Sequence, residues 1–498
     1  MHASCLSSFR AAAWLLVGLV LMTGRVSALP LYPSFGAFLG EIDRIEAIAD
    51  AGQRTAELDT FWNRLRAAGQ VPYAQDGRVA MLYRGAASSI GFPGDANGWN
   101  PSAWSASQVL GTDLWLRQAT LPNDARVDYK VVRSGTWILD PNNPNQQWSG
   151  FGPNSELHRP GYVFPAETLR DTLVPRGTLG GNVRLSSAEL GADVNVRVYT
   201  PTGYDALDEL PVVYVTDGHE YADDRLGAMV TVLDNLIADG SLRPTMAVFI
   251  DPRDPNSGFN RRTNQLGGGE KPEFADFIAN ELVPAIDGAY NTAADADSRV
   301  ILGTSLGGLF SAFMGARHPD VIANVAIQSP AFWFDTSIYG TYNGNATLAE
   351  QLQIYMESGT INDGNGGPTM NAILAAGGYD YIYDEVNQGH SWGHWKGELD
   401  AALISLLGAA ELIGDYDGDG LVGQADLNLV LLNWGTTALP DGWTAIDQFD
   451  DGFIGQNELN DVLLNWGDGA ATPAAIPEPT SLGLMAISGI AVARRRRR

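Results

Sequence analysis

The hydrophobic pattern changes period several times along the 498-residue chain. Residues 36–69 carry apolar side chains at helical spacing, which predicts a helical N-terminal segment over 29–70. From 79 to about 162 the apolar positions form short runs separated by Gly, Pro and Asn turns, the pattern of an all-β sandwich over 71–165. Beyond it, apolar runs at 211–215, 300–302, 353–356 and 379–383 read as strands, and 306–317, a stretch from about 369, and 399–407 read as helices. That succession assigns 166–410 to an α/β domain. The nonapeptide LNLVLLNWG at 427–435 then returns as LNDVLLNWG at 459–467, an offset of 32 residues, marking a paired loop-helix repeat over 411–470. Two further apolar runs lie near the ends. The run 11–22 follows Arg10 and precedes Val26-Ser27-Ala28, as in a secretory signal peptide over 1–28. The run 482–493 lies between Pro477-Glu478-Pro479 and five arginines, 494–498.

The candidate chemistry begins at Gly303-Thr304-Ser305-Leu306-Gly307-Gly308, where the strand at 300–302 meets the helix at 306–317. A serine at the tip of a strand-turn-helix elbow has its Oγ lifted above the sheet, and glycines two residues to either side let strand and helix approach. The partners of such a serine follow it as an acid and then a histidine. Of six histidines, His2 lies in the leader and His158, His219 and His318 come too early, which leaves His390 and His394. His390 is favoured as base because it follows Gly389 directly after the last strand, and His394 reads as an aromatic-packed or surface imidazole. Asp363, in the loop after the strand at 353–356, is the preferred acid, since a loop carboxylate can turn inward to hold Nδ1–H. Glu357 is the reserve, otherwise a strand-end charge facing solvent. Leu306 N–H is one expected oxyanion donor, and a second N–H is expected from the loop after 211–215, near His219 or Glu220. Phe332, Trp333 and Trp392 are the expected substrate walls.

Five motifs in order resemble the esterase family that includes enterochelin esterases, feruloyl esterases and the antigen 85 mycolyltransferases. They are Val213-Tyr214-Val215-Thr216-Asp217-Gly218-His219-Glu220, the Ser305 elbow, Gln328-Ser329-Pro330-Ala331-Phe332-Trp333, Gly359-Thr360-Ile361-Asn362-Asp363 and Gly389-His390-Ser391-Trp392. The resemblance implies a three-layer α/β-hydrolase sandwich, the triad Ser305, Asp363 and His390, and no cofactor for catalysis. Ser391 is a departure, since many relatives carry Asp after the histidine. Residues 92–99 and 138–141 resemble early-set, immunoglobulin-like domains, which implies a bracing module with Trp99 in its core.

The repeat resembles dockerin type I modules. Its first loop places Asp415, Asp417, Asp419, Leu421 and Asp426 at the spacing that wraps oxygen atoms around Ca²⁺, and the second keeps Asp447, Asp451 and Glu458 but has Phe449 where an oxygen ligand belongs. This implies structural calcium and a cohesin-like partner. The segment 474–498 resembles the PEP-CTERM sorting signal, which implies an exosortase-type processing enzyme, transient membrane association, and delivery to the cell envelope or extracellular matrix.

Composition narrows the function. The formal charge is −27, and no basic patch lies outside the last five residues, which argues against a nucleic-acid partner. The lone Cys5 lies in the leader, so the exported chain is expected to hold no disulfide and no sulfur nucleophile. These readings converge on a secreted serine esterase acting on acyl or feruloyl esters of polysaccharide. A siderophore trilactone esterase, an acyltransferase and a non-catalytic matrix protein are the alternatives.

Overall fold

The computed structural model describes residues 30–364, 366–408, 414, 416, 422–436 and 454–466. The helical N-terminal segment is two helices, Phe35–Glu46 and Ala51–Ala67. Each begins at a side-chain cap: Ser34 accepts from Ala37 N–H and Asp50 from Gln53 N–H. Phe35, Phe38, Phe61 and Trp62 form their buried stripe and pack on Tyr73 and Leu82 of the β module that follows.

That module consists of three small antiparallel sheets, built from strands such as Arg78–Arg84, Leu114–Thr120, Arg126–Tyr129 and Gly152–His158. Val79, Met81, Phe92, Val127, Tyr129 and Leu157 fill its core, and Ile361 of the α/β domain is buried in the same cluster.

The α/β domain is organised on nine strands, labelled here β1 (Thr178–Leu179), β2 (Val183–Ser187), β3 (Ala192–Thr200), β4 (Val212–Val215), β5 (Met246–Asp251), β6 (Arg299–Thr304), β7 (Asn324–Gln328), β8 (Gln353–Gly359) and β9 (Asp380–Val386). Their order is β1-β3-β5-β4-β6-β7-β8-β9, with β2 also on β3. Strands β4 to β9 run parallel, whereas β3 is antiparallel to β5. The central strands β4, β6 and β7 are wholly buried. Helices cover both faces of a parallel sheet, so such strands need apolar side chains on both sides. One face packs on Phe274, Phe277, Leu309 and Phe310, the other on Val230, Leu233, Leu399 and Leu403.

In the repeat, helices Gln424–Leu432 and Gln456–Leu464 meet through Val430 and Val462, with Tyr416, Val422 and Ile454. The segments 1–28 and 474–498 and the ligand positions Asp415, Asp417, Asp419, Leu421, Asp447 and Asp451 lie outside the described residues.

Candidate active site

Ser305 stands between β6 and the helix Leu306–Arg317 with φ +60° and ψ −116°, a strained conformation for a residue with a side chain. The elbow is held by its neighbours: Ser305 N–H donates to Gln328 O at 2.9 Å and its carbonyl accepts from Ala331 N–H at 2.8 Å. Gly303 and Gly307 are required by close approach. A Cβ on Gly303 would lie 2.6 Å from the Gly307 carbonyl, and one on either glycine would strike Thr216 Oγ1.

Three loops at the carboxyl end of the sheet converge there. His390 Nε2 lies 3.0 Å from Ser305 Oγ, and His390 Nδ1 lies 2.5 Å from Asp363 Oδ1. The other carboxylate oxygen, Oδ2, accepts from Gly359 N–H at 2.7 Å. The Asp363 side chain is fully buried, whereas that of His390 is 36% exposed, so the imidazole alone faces the solvent side. Burial by itself would raise the Asp363 carboxyl, but the hydrogen bond and charge of His390, with His394 behind, hold it below the ordinary carboxylate range. The edge of His390 meets Trp395 at 4.9 Å between ring centroids.

Glu357 and His394 form a second pair instead. Both are fully buried, with His394 Nε2 2.6 Å from Glu357 Oε2. His394 Nδ1 lies 3.1 Å from the carbonyl of Gly389. Burial pulls the His394 imidazole down, yet the Glu357 charge, with Glu398 and Asp363 further off, outweighs it and holds the group up at about 9. The expected solvent-facing glutamate and surface or aromatic-packed histidine are therefore corrected: each is buried because the other supplies its counter-charge.

A cavity of about 600 Å³ opens over Ser305 and His390. Its walls include Trp392 and Trp395 from the α/β domain and Trp99, Trp137, Phe151 and Lys130 from the β module. Trp99 is thus on the cavity wall, with φ +60° and its Nε1 donating to Asp95 Oδ1 at 3.1 Å, rather than in the core. Two of the expected substrate walls are corrected too. Phe332 is fully buried in the sheet core against Tyr339, and Trp333 is 65% exposed, packs on Phe334 and does not line the cavity. Both follow the same turn after β7, which sends one ring under the sheet and the next outward. Leu306 opens the elbow helix. The His219 imidazole turns away towards Asp251, 3.8 Å off, so that only its backbone N–H remains for an oxyanion. His219 lies in the helical turn Gly218–Tyr221, whose N-cap residue Asp217 is fixed by Arg262, with Nε donating to both its carboxylate oxygens at 2.9 and 2.8 Å. Glu220, on the cavity wall, is pushed up to about 7 by burial and by the Asp217 charge.

In the repeat, Asp426 is buried and accepts from Tyr416 N–H and Gly423 N–H, each at 2.7 Å. Glu458 accepts from Gly455 N–H at 2.6 Å, and its Oε1 is buried with no hydrogen-bond partner among the described residues.

Residues 187–406 match the family described as "Putative esterase", and residues 475–498 match the PEP-CTERM protein-sorting motif, which implies export to the cell envelope. The iron(III) enterobactin esterase of Escherichia coli O6:H1 is 27% identical over 348 residues, covering 62% of this chain and 82% of that protein. The endo-1,4-beta-xylanase/feruloyl esterase of Xylanibacter ruminicola is 29% identical over 143 residues, 27% of this chain and 19% of that protein. The enterobactin esterase of Shigella flexneri, solved in the presence of enterobactin, superposes with a TM-score of 0.55 at 21% identity, over 66% of this chain and 92% of that one. At that identity the likeness is one of fold. The α/β domain is therefore esterase-like, with ester hydrolases among its relatives.

Proposed function

We propose that the protein is an exported serine esterase that hydrolyses carboxylic esters through an acyl-enzyme. The observation that carries the reading is the hydrogen-bonded line from Ser305 Oγ through His390 to Asp363. In this mechanism His390 Nε2 takes the Ser305 proton as Oγ attacks the ester carbonyl. The oxyanion forms against Leu306 N–H and a second N–H at His219. The imidazolium, steadied by Asp363, returns the proton to the leaving alcohol, and water activated by the same imidazole then releases the acid. The five aromatic side chains around the cavity favour an ester with a flat aromatic acyl group, such as a feruloyl ester of polysaccharide. A catecholate trilactone is the second reading, favoured because the iron(III) enterobactin esterase of Escherichia coli O6:H1 matches 62% of this chain, whereas the feruloyl esterase match covers 27% of it.

A substrate panel separates them: 4-nitrophenyl acetate, methyl ferulate, acetylated xylan and a catecholate trilactone, each with the parent protein and Ser305→Ala. Activity that vanishes in Ser305→Ala and concentrates on one ester identifies the substrate, and silence on every ester from folded protein removes the esterase reading.

The β module fits an early-set bracing role, and the repeat a dockerin-like one with a cohesin-like partner. Calcium, held by Asp415, Asp417, Asp419, Leu421 and Asp426 in the first loop and by Asp447, Asp451 and Glu458 in the second, would supply the positive charge that buried carboxylates need. The buried Glu458 Oε1, which has no hydrogen-bond partner among the described residues, supports that reading. Chelator should then expose 415–467 to proteolysis.

A further inference from the structure

The β module does more than lean on the α/β domain: it holds both loops that carry the catalytic acid and base. Arg126 is completely buried, an expensive place for a guanidinium. Two of its bonds stay within the module, from Nη2 to Asp128 Oδ1 at 2.5 Å and from Nε to Glu156 Oε1 at 3.0 Å. The third crosses the interface, where Nη1 donates to Ser391 Oγ at 2.7 Å, one residue beyond His390. The same strand grips the loop on the other side of the histidine. Arg126 N–H donates to Asn387 O at 3.1 Å, and Asn387 Nδ2 donates to Asp124 Oδ1 at 2.8 Å. Between these two ties, Gly389 lies so close to Asp95 that a Cβ there would come within 2.6 Å of Asp95 Oδ2. A Cβ on Gly393 would run into the Arg126 guanidinium.

The acid loop is tied to the same module. Asn362 Nδ2, next to Asp363, donates to Asp95 O at 3.2 Å, and Ile361 is buried in the module core. Two carboxylates already neutralise Arg126, so charge compensation inside the module does not call for the bond to Ser391. What that bond accomplishes is to fix the side chain of the residue after the imidazole, at the point where Ser391 opens the helical turn Trp392–Trp395.

We propose that Arg126 is a positioning residue for His390, acting through Ser391, so that the site is complete only with the β module seated. This rests on the triad reading above. A displacement of about 1 Å in a reacting group costs on the order of a hundredfold in rate, so loosening one tie of several should cost about five- to fifty-fold.

The test uses the full chain with Ser391→Ala, Arg126→Lys and the pair combined. The readouts are kcat and KM for 4-nitrophenyl acetate, the rate at which a fluorophosphonate labels Ser305, and Tm. Each single variant should lower kcat and the labelling rate by about five- to fifty-fold, with KM within about twofold. Because both remove one tie, the double variant should be no slower than the slower single. Arg126→Lys also disturbs a buried charge cluster, so the decisive variant is Ser391→Ala, whose Tm should stay within a few degrees. Folded Ser391→Ala with the parent's kcat and labelling rate overturns the proposal, as does a double variant whose loss is the product of the two. A parent protein that labels no faster than Ser305→Ala overturns the esterase reading itself, and this proposal with it.

Discussion

Two imidazole–carboxylate pairs lie side by side at the end of the sheet, Asp363 with His390 and Glu357 with His394, and their chemistry differs because their surroundings do. Both carboxylates come from β8 and its loop, and the histidines lie four residues apart, His390 in the loop after β9 and His394 in the helical turn Trp392–Trp395. His390 has one ring nitrogen on Asp363 and the other on Ser305 Oγ, with a third of its side chain exposed. A proton can therefore enter and leave at Nε2. His394 has Nδ1 at the Gly389 carbonyl and Nε2 at Glu357, in a place with no exposure. Its Nε2 faces a buried carboxyl that burial pushes up, and the ring serves as a post beneath the loop of the other. Residue type and spacing do not distinguish a base from a post; access and the identity of the second partner do.

The largest effect should come from exchanging carboxyl for amide in each pair. Asp363→Asn is expected to lower kcat by about 10⁴ while leaving Tm nearly unchanged, because the misoriented imidazole loses its function and not its packing. Glu357→Gln should do the opposite. It leaves a buried imidazole without its counter-charge, so urea unfolding should show a loss of about 3 kcal/mol, with kcat within about tenfold of the parent in the folded fraction. If Glu357→Gln abolishes turnover with stability intact and Asp363→Asn does not, the two pairs have been assigned the wrong way round.

A smaller effect separates the pairs by pH. His394 is raised from an ordinary value of 6.5 to about 9, so its contribution to stability is complete below pH 6.5 and is lost as pH rises through about 9. Tm of the parent should therefore fall between pH 7 and pH 10, and the fall should be shallower in the double variant Glu357→Gln/His394→Gln. Asp363 has the opposite sign: held below its ordinary value, it contributes above that value and ceases to do so as acid protonates it. The smallest effect should be that of Trp395→Phe, which keeps an aromatic face near His390 and removes an indole N–H that has no partner among the described residues. Less than about a fivefold change in kcat is expected, since an edge contact of this kind contributes about 1 kcal/mol.

Much of the architecture was legible because it is encoded locally. The elbow needs a serine flanked by glycines between an apolar run and a helix, and all of that lies within some twenty consecutive residues. The strands β4 and β6 announce themselves as apolar runs because both of their faces are covered. The helix bounds 306–317 and 399–407 agree with the structure, since Ser305 and Arg317 bound the first and Glu398 and Gly408 the second. The cavity walls were not legible. Phe332 and Trp333 follow one another in sequence, and the turn after β7 sends neither to the cavity, while Trp137 and Phe151 come to it from a module more than 150 residues upstream of Ser305.

By itself the sequence determined the kind of chemistry on offer, the order of serine, acid and histidine, the α/β class and the terminal sorting signal, because each depends on residues close together or on their order. Only the tertiary structure decided that Glu357 is committed to His394, that Trp99, Trp137 and Phe151 wall the cavity, and that Arg126 reaches the loop of His390. Those pairings join residues as much as 265 positions apart. They depend on which side chains share a place from which water has been excluded, and a buried charge takes the partner it finds there, not the one nearest along the chain.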